Sequence, residues 1–427
     1  MLPDKFNRVI FILPCPAYPF QRGQAKIAFK QAYFLRRMGY KTLLINIWFN
    51  SINNISKNKR HFKEAFDEIY GIDLNVFDLF QSLSLSIIKR ILFKLPIQIN
   101  LLNTRKTNRK FKKLIRNLNS KNNKENSLIY FFSIRSFPFW EFVDNFNIFY
   151  LVNLVDSVSL NIKNKINNLS GLKRLFWQLE YLVIRNFEKN LPISEKLISY
   201  VCVSKFDLKH FEFSNLKYGY TKFILSSVGV DRVRINEINN EDSSIKKTLI
   251  FTGSLYYEPN VTAISWLIEE IMPIIWEKDA EIKLIIAGSN PSKKVINLCQ
   301  IDERIQLKSN PKDMNEEIKN SAISLAPMIS GSGQQFKIIE AMMLSKPVVS
   351  TSKAANPLGL ENNKNIIISD TANQFAESIL RLLSDKKLYS KIIKYGKEFV
   401  ITNHDWPSIT RSLFDEINKL CNYSEKI

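Results

Sequence analysis

A chain of 427 residues that is 45% hydrophobic can bury a sizeable core, and its length favours two domains over one or four. Its four cysteines, Cys15, Cys202, Cys299 and Cys421, are scattered with no CxxC pair, so neither a disulfide framework nor a zinc site is indicated and a reducing, cytoplasmic setting fits best. The formal charge of +21 is large, but the chain is rich in Asn, Ile and Lys throughout, and charge alone selects no partner.

The first apolar run, VIFIL between Arg8 and Pro14, is too short and too early for a signal-peptide core or a spanning helix, and reads as a strand. A helix is predicted near residues 27–38. Strand-like runs follow at TLLINIW (42–48), LIYFFS (128–133), IFYLV (148–152) and SYVCVS (199–204). Strands that alternate with helical patterns predict βαβ units and a parallel sheet.

Between TLLINIW and LIYFFS lies SLSLSIIKRILFKLPIQINLL, broken by Lys89, Arg90, Lys94 and Pro96. That excludes a membrane span and leaves an interfacial segment. Arg105, Lys106, Arg109, Lys110, Lys112, Lys113 and Arg116 then crowd one stretch with no acid between them. Such density attracts nucleic acid or anionic lipid, the latter by about 1 kcal/mol per cation. Residues 79–118 are therefore expected to dock on an anionic membrane surface. A solvated helix face, or packing of its apolar side into the core, is the plainer alternative.

A polar stretch, NEINNEDSSIKK at 236–247, marks a linker, after which the alternation restarts with TLIFTGSL (248–255), KLIIAGSN (283–290), RIQLKS, AISLAPM and PVVSTS (347–352). The predicted organisation is a Rossmann-like domain over 1–235, a second over 248–400, and a C-terminal helix over 401–427 that packs back on the first domain. Two such domains in series are expected to hold a ligand between them, at their strand carboxyl ends.

One turn in the second domain carries most of the chemistry. AISLAPM reads as a buried strand, ISGSGQQ as its exit loop and FKIIEAMML as a helix. Gly331 and Gly333 allow close backbone approach, and successive amides before a helix start suit a phosphate, although an ordinary tight turn has the same sequence. Lys337 in the first helical turn opposes the macrodipole, at about 0.3–1 kcal/mol, unless an anion or carboxylate compensates. Either Lys337 and Glu340 pair on a solvated surface, or Lys337 meets a diphosphate and Glu340 accepts from a sugar hydroxyl.

At these residues a resemblance becomes specific. GSGQQFKIIEAMMLSKPVVST resembles the donor-binding signature of family 4 glycosyltransferases, the large retaining group with the GT-B fold. FTGSLYYEPNVTAISWLIEEIMPIIW resembles that family's second-domain opening, and PAYPFQRGQAKIAFKQAYFLRRMGYKTLL its first loop and helix. LVDSVSL (154–160) and RLFWQLEYLVIRNFEKNL (174–191) are similar to a bacterial subgroup that assembles surface polysaccharide, that is O-antigen, capsule or exopolysaccharide.

The resemblance implies an α/β GT-B protein of two doubly wound domains facing a central cleft, the first on the acceptor side, the second binding the sugar nucleotide. It implies a hexosyl or related transferase that needs no metal or other cofactor, acting on a lipid-linked saccharide at the inner membrane face. By the same likeness, Gly253 and Ser254 approach the donor phosphates, Gly331, Ser332 and Gly333 line the sugar and diphosphate, Lys337 neutralises the diphosphate, and Glu340 meets the ribose. Gly23, preceded by Arg22, occupies the family's first glycine loop on the acceptor side, with a plain surface charge as the alternative for Arg22. Apart from the likeness, Arg135 in FFSIRSFPF follows a strand and is placed to reach an anionic acceptor or the leaving phosphate, or else is a surface or structural arginine.

Three departures stand out. Ser332 occupies the place of the signature's earlier glutamate, and Tyr256, Tyr257 and Glu258 stand where an Arg and a Lys are usual. The histidines His61, His210 and His404 lie near no suitable strand end, so Asp156, after IFYLVNLV, is the candidate cleft residue, or else a helix N-cap. A GT-B-like scaffold that binds sugar nucleotide without turnover is the alternative function. A nucleic-acid-binding protein is disfavoured, because no helix-turn-helix or RRM signature and no aromatic-interleaved basic cluster is present.

Overall fold

The computed structural model describes the chain apart from residues 1–5, 19–22, 94, 121–125, 145, 147, 167–168, 216–222, 232–246, 332–333 and 424–427. It divides into two compact units, one formed by Met1–Ser226 with Trp406–Ile427 and the other by Ser227–Asp405. The linker expected at 236–247 lies, but for Lys247, outside the described residues.

Unit 1 is built on strands β1 (Arg8–Leu13), β2 (Lys41–Phe49), β3 (Glu68–Leu74), β4 (Ser127–Phe132), β5 (Tyr150–Val155), β6 (Leu197–Cys202) and β7 (Phe223–Leu225). They form one parallel sheet in the order β3-β2-β1-β4-β5-β6-β7. β1 is buried along its whole length, as helices on both faces of a parallel sheet require. Even Arg8 is enclosed, its Nε donating to Ser127 Oγ at 2.7 Å and Nη2 to the Leu118 carbonyl at 3.2 Å.

The helices used below are α1 (Gly23–Arg37), α2 (Val76–Phe93), α3 (Arg105–Ser120), α4 (Val158–Ile166), α5 (Gly171–Lys189) and α6 (Lys205–Asn215). α3 corrects the expectation that all of 79–118 docks on lipid. Its Phe111, Ile115 and Leu118 are buried in the main core, so the apolar side has no face left for a membrane. Its cations are partly engaged too: Lys106 pairs with Asp78 at 2.9 Å, and Lys112 sits 4.1 Å over the Phe142 ring.

Unit 2 repeats the topology with β8 (Thr248–Ser254), β9 (Lys283–Ser289), β10 (Ile305–Ser309), β11 (Ile323–Ala326), β12 (Val348–Ser350) and β13 (Ile367–Ile368). The parallel order is β10-β9-β8-β11-β12-β13. In each sheet the first strand is an interior one, and chain order reverses between β1 and β4 and between β8 and β11. At such a switch point the flanking loops part, which leaves a crevice beyond the strand carboxyl ends.

Helices α7 (Glu258–Trp266), α8 (Phe336–Met343) and α9 (Lys386–Asn403) belong to unit 2, and α10 (Trp406–Tyr423) to unit 1. The boundary predicted at 400/401 thus falls inside α9. The chain breaks at His404–Asp405 instead, where His404 Nδ1 lies 2.7 Å from the Val228 carbonyl and Pro407, lacking an N–H, starts a new helix. α10 lies on α1, with Tyr40 and Phe414 in edge contact at 5.4 Å.

Candidate active site

In unit 2, Gly253, Ser254, Gly331 and Lys337, singled out in the sequence, lie by the switch point, and Asn260 joins them. β8 ends at Gly253 and Ser254, Gly253 at φ +153°. A Cβ on Gly253 would lie 2.8 Å from Asn260 Nδ2 and 3.3 Å from Lys337 Nζ, so a side chain there displaces the site. The neighbouring Gly288 is held as tightly, since its Cβ would fall 1.7 Å from the Gly253 carbonyl oxygen. Gly331, at φ +93°, sits over Pro259.

Lys337 is buried at the second position of α8, not on the solvated surface that pairing with Glu340 would require. Its Nζ donates to Asn260 Oδ1 at 2.9 Å, touches Met328 Sδ at 3.6 Å and stands 3.9 Å from the centre of the Phe251 ring. Burial holds the amine down to about 7, against a smaller opposing pull from the half-buried Glu340. A lysine kept among a thioether, a ring and one neutral amide is costly for folding. Asn260 also donates from Nδ2 to the Ser254 carbonyl at 2.9 Å, fixing the turn after β8. The sequence reading missed Asn260. Its one signal was a short polar residue at a position of α7 that faces the sheet.

Ser332 and Gly333 lie outside the described residues, as does Arg22. Gly23 is the first residue of α1 and is not among the positive-φ glycines, so it forms part of the helix rather than a loop.

In unit 1 the strand ends are strained. Ser133 after β4 has φ +63° and Val155 at the end of β5 has φ +66°; for a β-branched residue this conformation is a true outlier of the kind found at functional sites. Asp156 N donates to the Leu154 carbonyl at 2.9 Å, a tight turn just past the carboxyl end of β5. Asp156 is not the N-cap of α4. That role falls to Ser157, whose Oγ accepts from Leu160 N at 3.2 Å, while Asp156 Oδ2 accepts from Asn161 at 2.5 Å. Burial raises the Asp156 pKa and the Glu188 charge adds to it, while the Asn161 hydrogen bond and Arg135 act against the rise.

Around Ser157 the fold gathers groups that no local motif announced. Glu188, fully buried, accepts from Ser157 Oγ at 2.9 Å and from the amides of Val158 and Ser159. Asp207 accepts from Ser157 N at 3.0 Å, and burial pushes it up to about 6. His210 Nε2 reaches Ser159 Oγ at 3.3 Å and lies 3.6 Å from Glu188. One of the histidines set aside in the sequence therefore does approach the segment after β5, carried there by α6. Arg135 follows the strained Ser133, and its guanidinium donates to Gln98 at 3.3 Å.

Residues 246–385 match the family model described as Glycosyl transferases group 1; the match includes Phe251, Gly253, Asn260, Met328 and Lys337. An uncharacterized 44.6 kDa protein in the cps region of Klebsiella pneumoniae is 26% identical over 178 residues, 39% of this chain and 45% of its own length. Glycosyltransferase 1 domain-containing protein 1 of Xenopus tropicalis is 26% identical over 135 residues, 30% of this chain and 39% of its own. The chain thus spans less than half the length of the curated relatives it matches.

Among solved structures, a mutant of S. aureus TarM in complex with UDP, alpha-GlcNAc-glycerol and fondaparinux matches with TM-score 0.66 at 13% identity, over 97% of this chain and 100% of that one. Sucrose-phosphate synthase from Thermosynechococcus elongatus gives 0.65 at 13%, over 98% and 100%. Anabaena HepE in complex with UDP and glucose gives 0.60 at 13%, over 96% and 99%. Likeness at this identity establishes the fold. The chain has the two Rossmann-like parallel-sheet units of the GT-B fold, and the second of them matches the group 1 glycosyl transferase model over residues 246–385.

Proposed function

We propose that the protein is a retaining glycosyltransferase that moves a hexosyl or related sugar from a nucleoside diphosphate to a hydroxyl of a lipid-linked saccharide, without a divalent metal, in surface-polysaccharide assembly. The observation that carries this reading is the buried amine of Lys337, held by Asn260 at the carboxyl ends of β8 and β11 inside the group 1 domain. A cation kept there at a cost to folding is explained by an anion that binds it.

As the glycosidic bond to the donor breaks, negative charge accumulates on the leaving diphosphate. The Lys337 ammonium, the Gly331 amide and the start of α8 are the groups assigned to that charge, fixed beforehand and therefore effective. Glu340 is assigned to a donor hydroxyl. On the acceptor side, Asp156 is assigned to orient the attacking hydroxyl or to stabilise positive charge developing on the sugar, with Arg135, Arg22 and Gly23 as its neighbours in role. The relative in a cps region supports the polysaccharide setting, and the UDP complexes of TarM and HepE support a nucleotide donor.

A thermal-shift screen of nucleoside diphosphates and their sugars tests the reading, because a ligand that binds only the folded state raises the melting temperature. At least one should stabilise the wild type and none should stabilise Lys337→Ala. Product NMR then reads the anomeric configuration, and chelator should leave the rate unchanged. Stabilisation without turnover on any acceptor extract would replace the transfer reading with the non-catalytic scaffold.

A further inference from the structure

We infer that the outer faces of α2 and α5 together form a docking surface for an anionic lipid bilayer. The inference stands on unit 1 alone and is independent of the transfer reading.

On α5, Leu172, Leu175, Phe176, Leu179 and Leu182 recur three or four residues apart and so share one stripe. That stripe faces solvent: Leu172 is 86% exposed and Leu182 58%. The packed side of α5 is a different one, with Trp177, Tyr181 and Ile184 set against Ile162 and Ile166 of α4. The outward leucines are therefore surplus to the core. α2 repeats the pattern with Phe77, 74% exposed, and with Phe80, Ile87 and Ile88, each half exposed or more.

The two helices are joined. Arg90 of α2 pairs with Glu180 of α5, and its guanidinium lies over the Phe176 ring at 5.9 Å. Two adjoining helices thus both expose apolar side chains, as surfaces that meet a partner do.

Charge selects the occupant. Every exposed charged residue of α5 is a cation, namely Lys173, Arg174, Arg185 and Lys189, whereas both of its glutamates, Glu180 and Glu188, are buried and bonded within the protein. On α2 the single acid, Asp78, is likewise buried against Lys106. A second copy of the chain, at net +21, would bring like charge to this face. An anionic bilayer takes up both features, the apolar stripe among the acyl chains and the cations at the headgroups. Among the described residues no helix is long and apolar enough to cross a membrane, so the attachment inferred is a shallow one.

The test is co-sedimentation of the full chain with vesicles of phosphatidylcholine, alone or mixed equally with phosphatidylglycerol. The wild type should bind the anionic vesicles, and the triple variant L175Q/F176Q/L179Q should bind them at least about tenfold more weakly with an unchanged melting temperature. Wild-type indifference to both vesicles overturns the proposal, as does undiminished binding by the triple variant. So does a dimer that the triple variant dissolves while vesicle binding persists. Should the triple variant unfold, K173E/R174E keeps the stripe and must lose anionic binding selectively; equal binding by this variant overturns the proposal as well.

Discussion

Lys337 Nζ lies 2.9 Å from Asn260 Oδ1, and the amide of the same asparagine donates at 2.9 Å to the Ser254 carbonyl. One neutral side chain therefore couples a buried amine to the strand end that passes beside it. Asn260→Ala should cost about 1–3 kcal/mol, because it strips the ammonium of an oxygen acceptor. Lys337→Met, of similar size, should be neutral or stabilising by about 1–4 kcal/mol while abolishing nucleotide-induced stabilisation. Urea unfolding of the two variants, with and without nucleoside diphosphate, checks both; a strongly destabilised Lys337→Met would mean the lysine serves the fold.

The depressed Lys337 makes a pH prediction of definite sign. Between about 7 and 10.5 the unfolded chain holds a proton on this amine that the folded chain has lost, so stability should rise with pH across that window. Below it both states are charged and the burial penalty is felt in full. Lys337→Met should flatten this part of the profile of urea midpoint against pH.

Binding an anion beside the amine should draw the proton back. Above pH 7, nucleoside diphosphate binding is then expected to take up protons, visible as a binding heat that changes with the ionisation enthalpy of the buffer. The Lys337→Met variant supplies the baseline, and heats that are the same in every buffer would count against the assignment.

Asp207 works in the opposite sense. Raised from 3.8 to about 6 by burial, it holds its proton more firmly in the folded chain, so its contribution is present in full below 3.8 and is lost as pH rises through about 6. Asp207→Asn should remove that decline, and Asp156→Asn should reduce it, since Asp156 is raised as well. Turnover separates the two positions: Asp156→Asn should lower it about 10²-fold or more, whereas Asp207→Asn, fully buried and bonded to the Ser157 amide, should spare most of it.

Gly288→Ala should cost about 3 kcal/mol or more, because its Cβ would overlap the Gly253 carbonyl and no flexible side chain is there to yield. Gly359→Ala is the comparison. It has positive φ but open space around it, and should cost only about 1–2 kcal/mol. Thermal melts of the two variants separate steric closeness from backbone strain.

Much of the architecture follows from local pattern. Long apolar runs such as VIFIL and LIYFFS are legible as strands because a parallel sheet covered on both faces needs continuous apolar strands. β3, β7 and β13 escaped, since EIYGIDL is half polar and the other two are only three and two residues long. The turn around Gly331 and Lys337 stood out in the sequence through its glycines and its misplaced cation, and the structure buries that cation.

What the turn sequence left open was where that cation goes. Its acceptor, Asn260, is 77 residues away in the chain, and only the crossover from β8 through α7 brings it to α8. Likewise Glu188, Asp207 and His210 meet around Ser157 because α5 and α6 pack beside β5, and the outward stripe of α5 became visible only once its opposite side was seen filled. Composition and periodicity act over a few residues and so determine strands, helices and their alternation; which polar groups share a buried volume is decided by long-range packing, which no local pattern encodes.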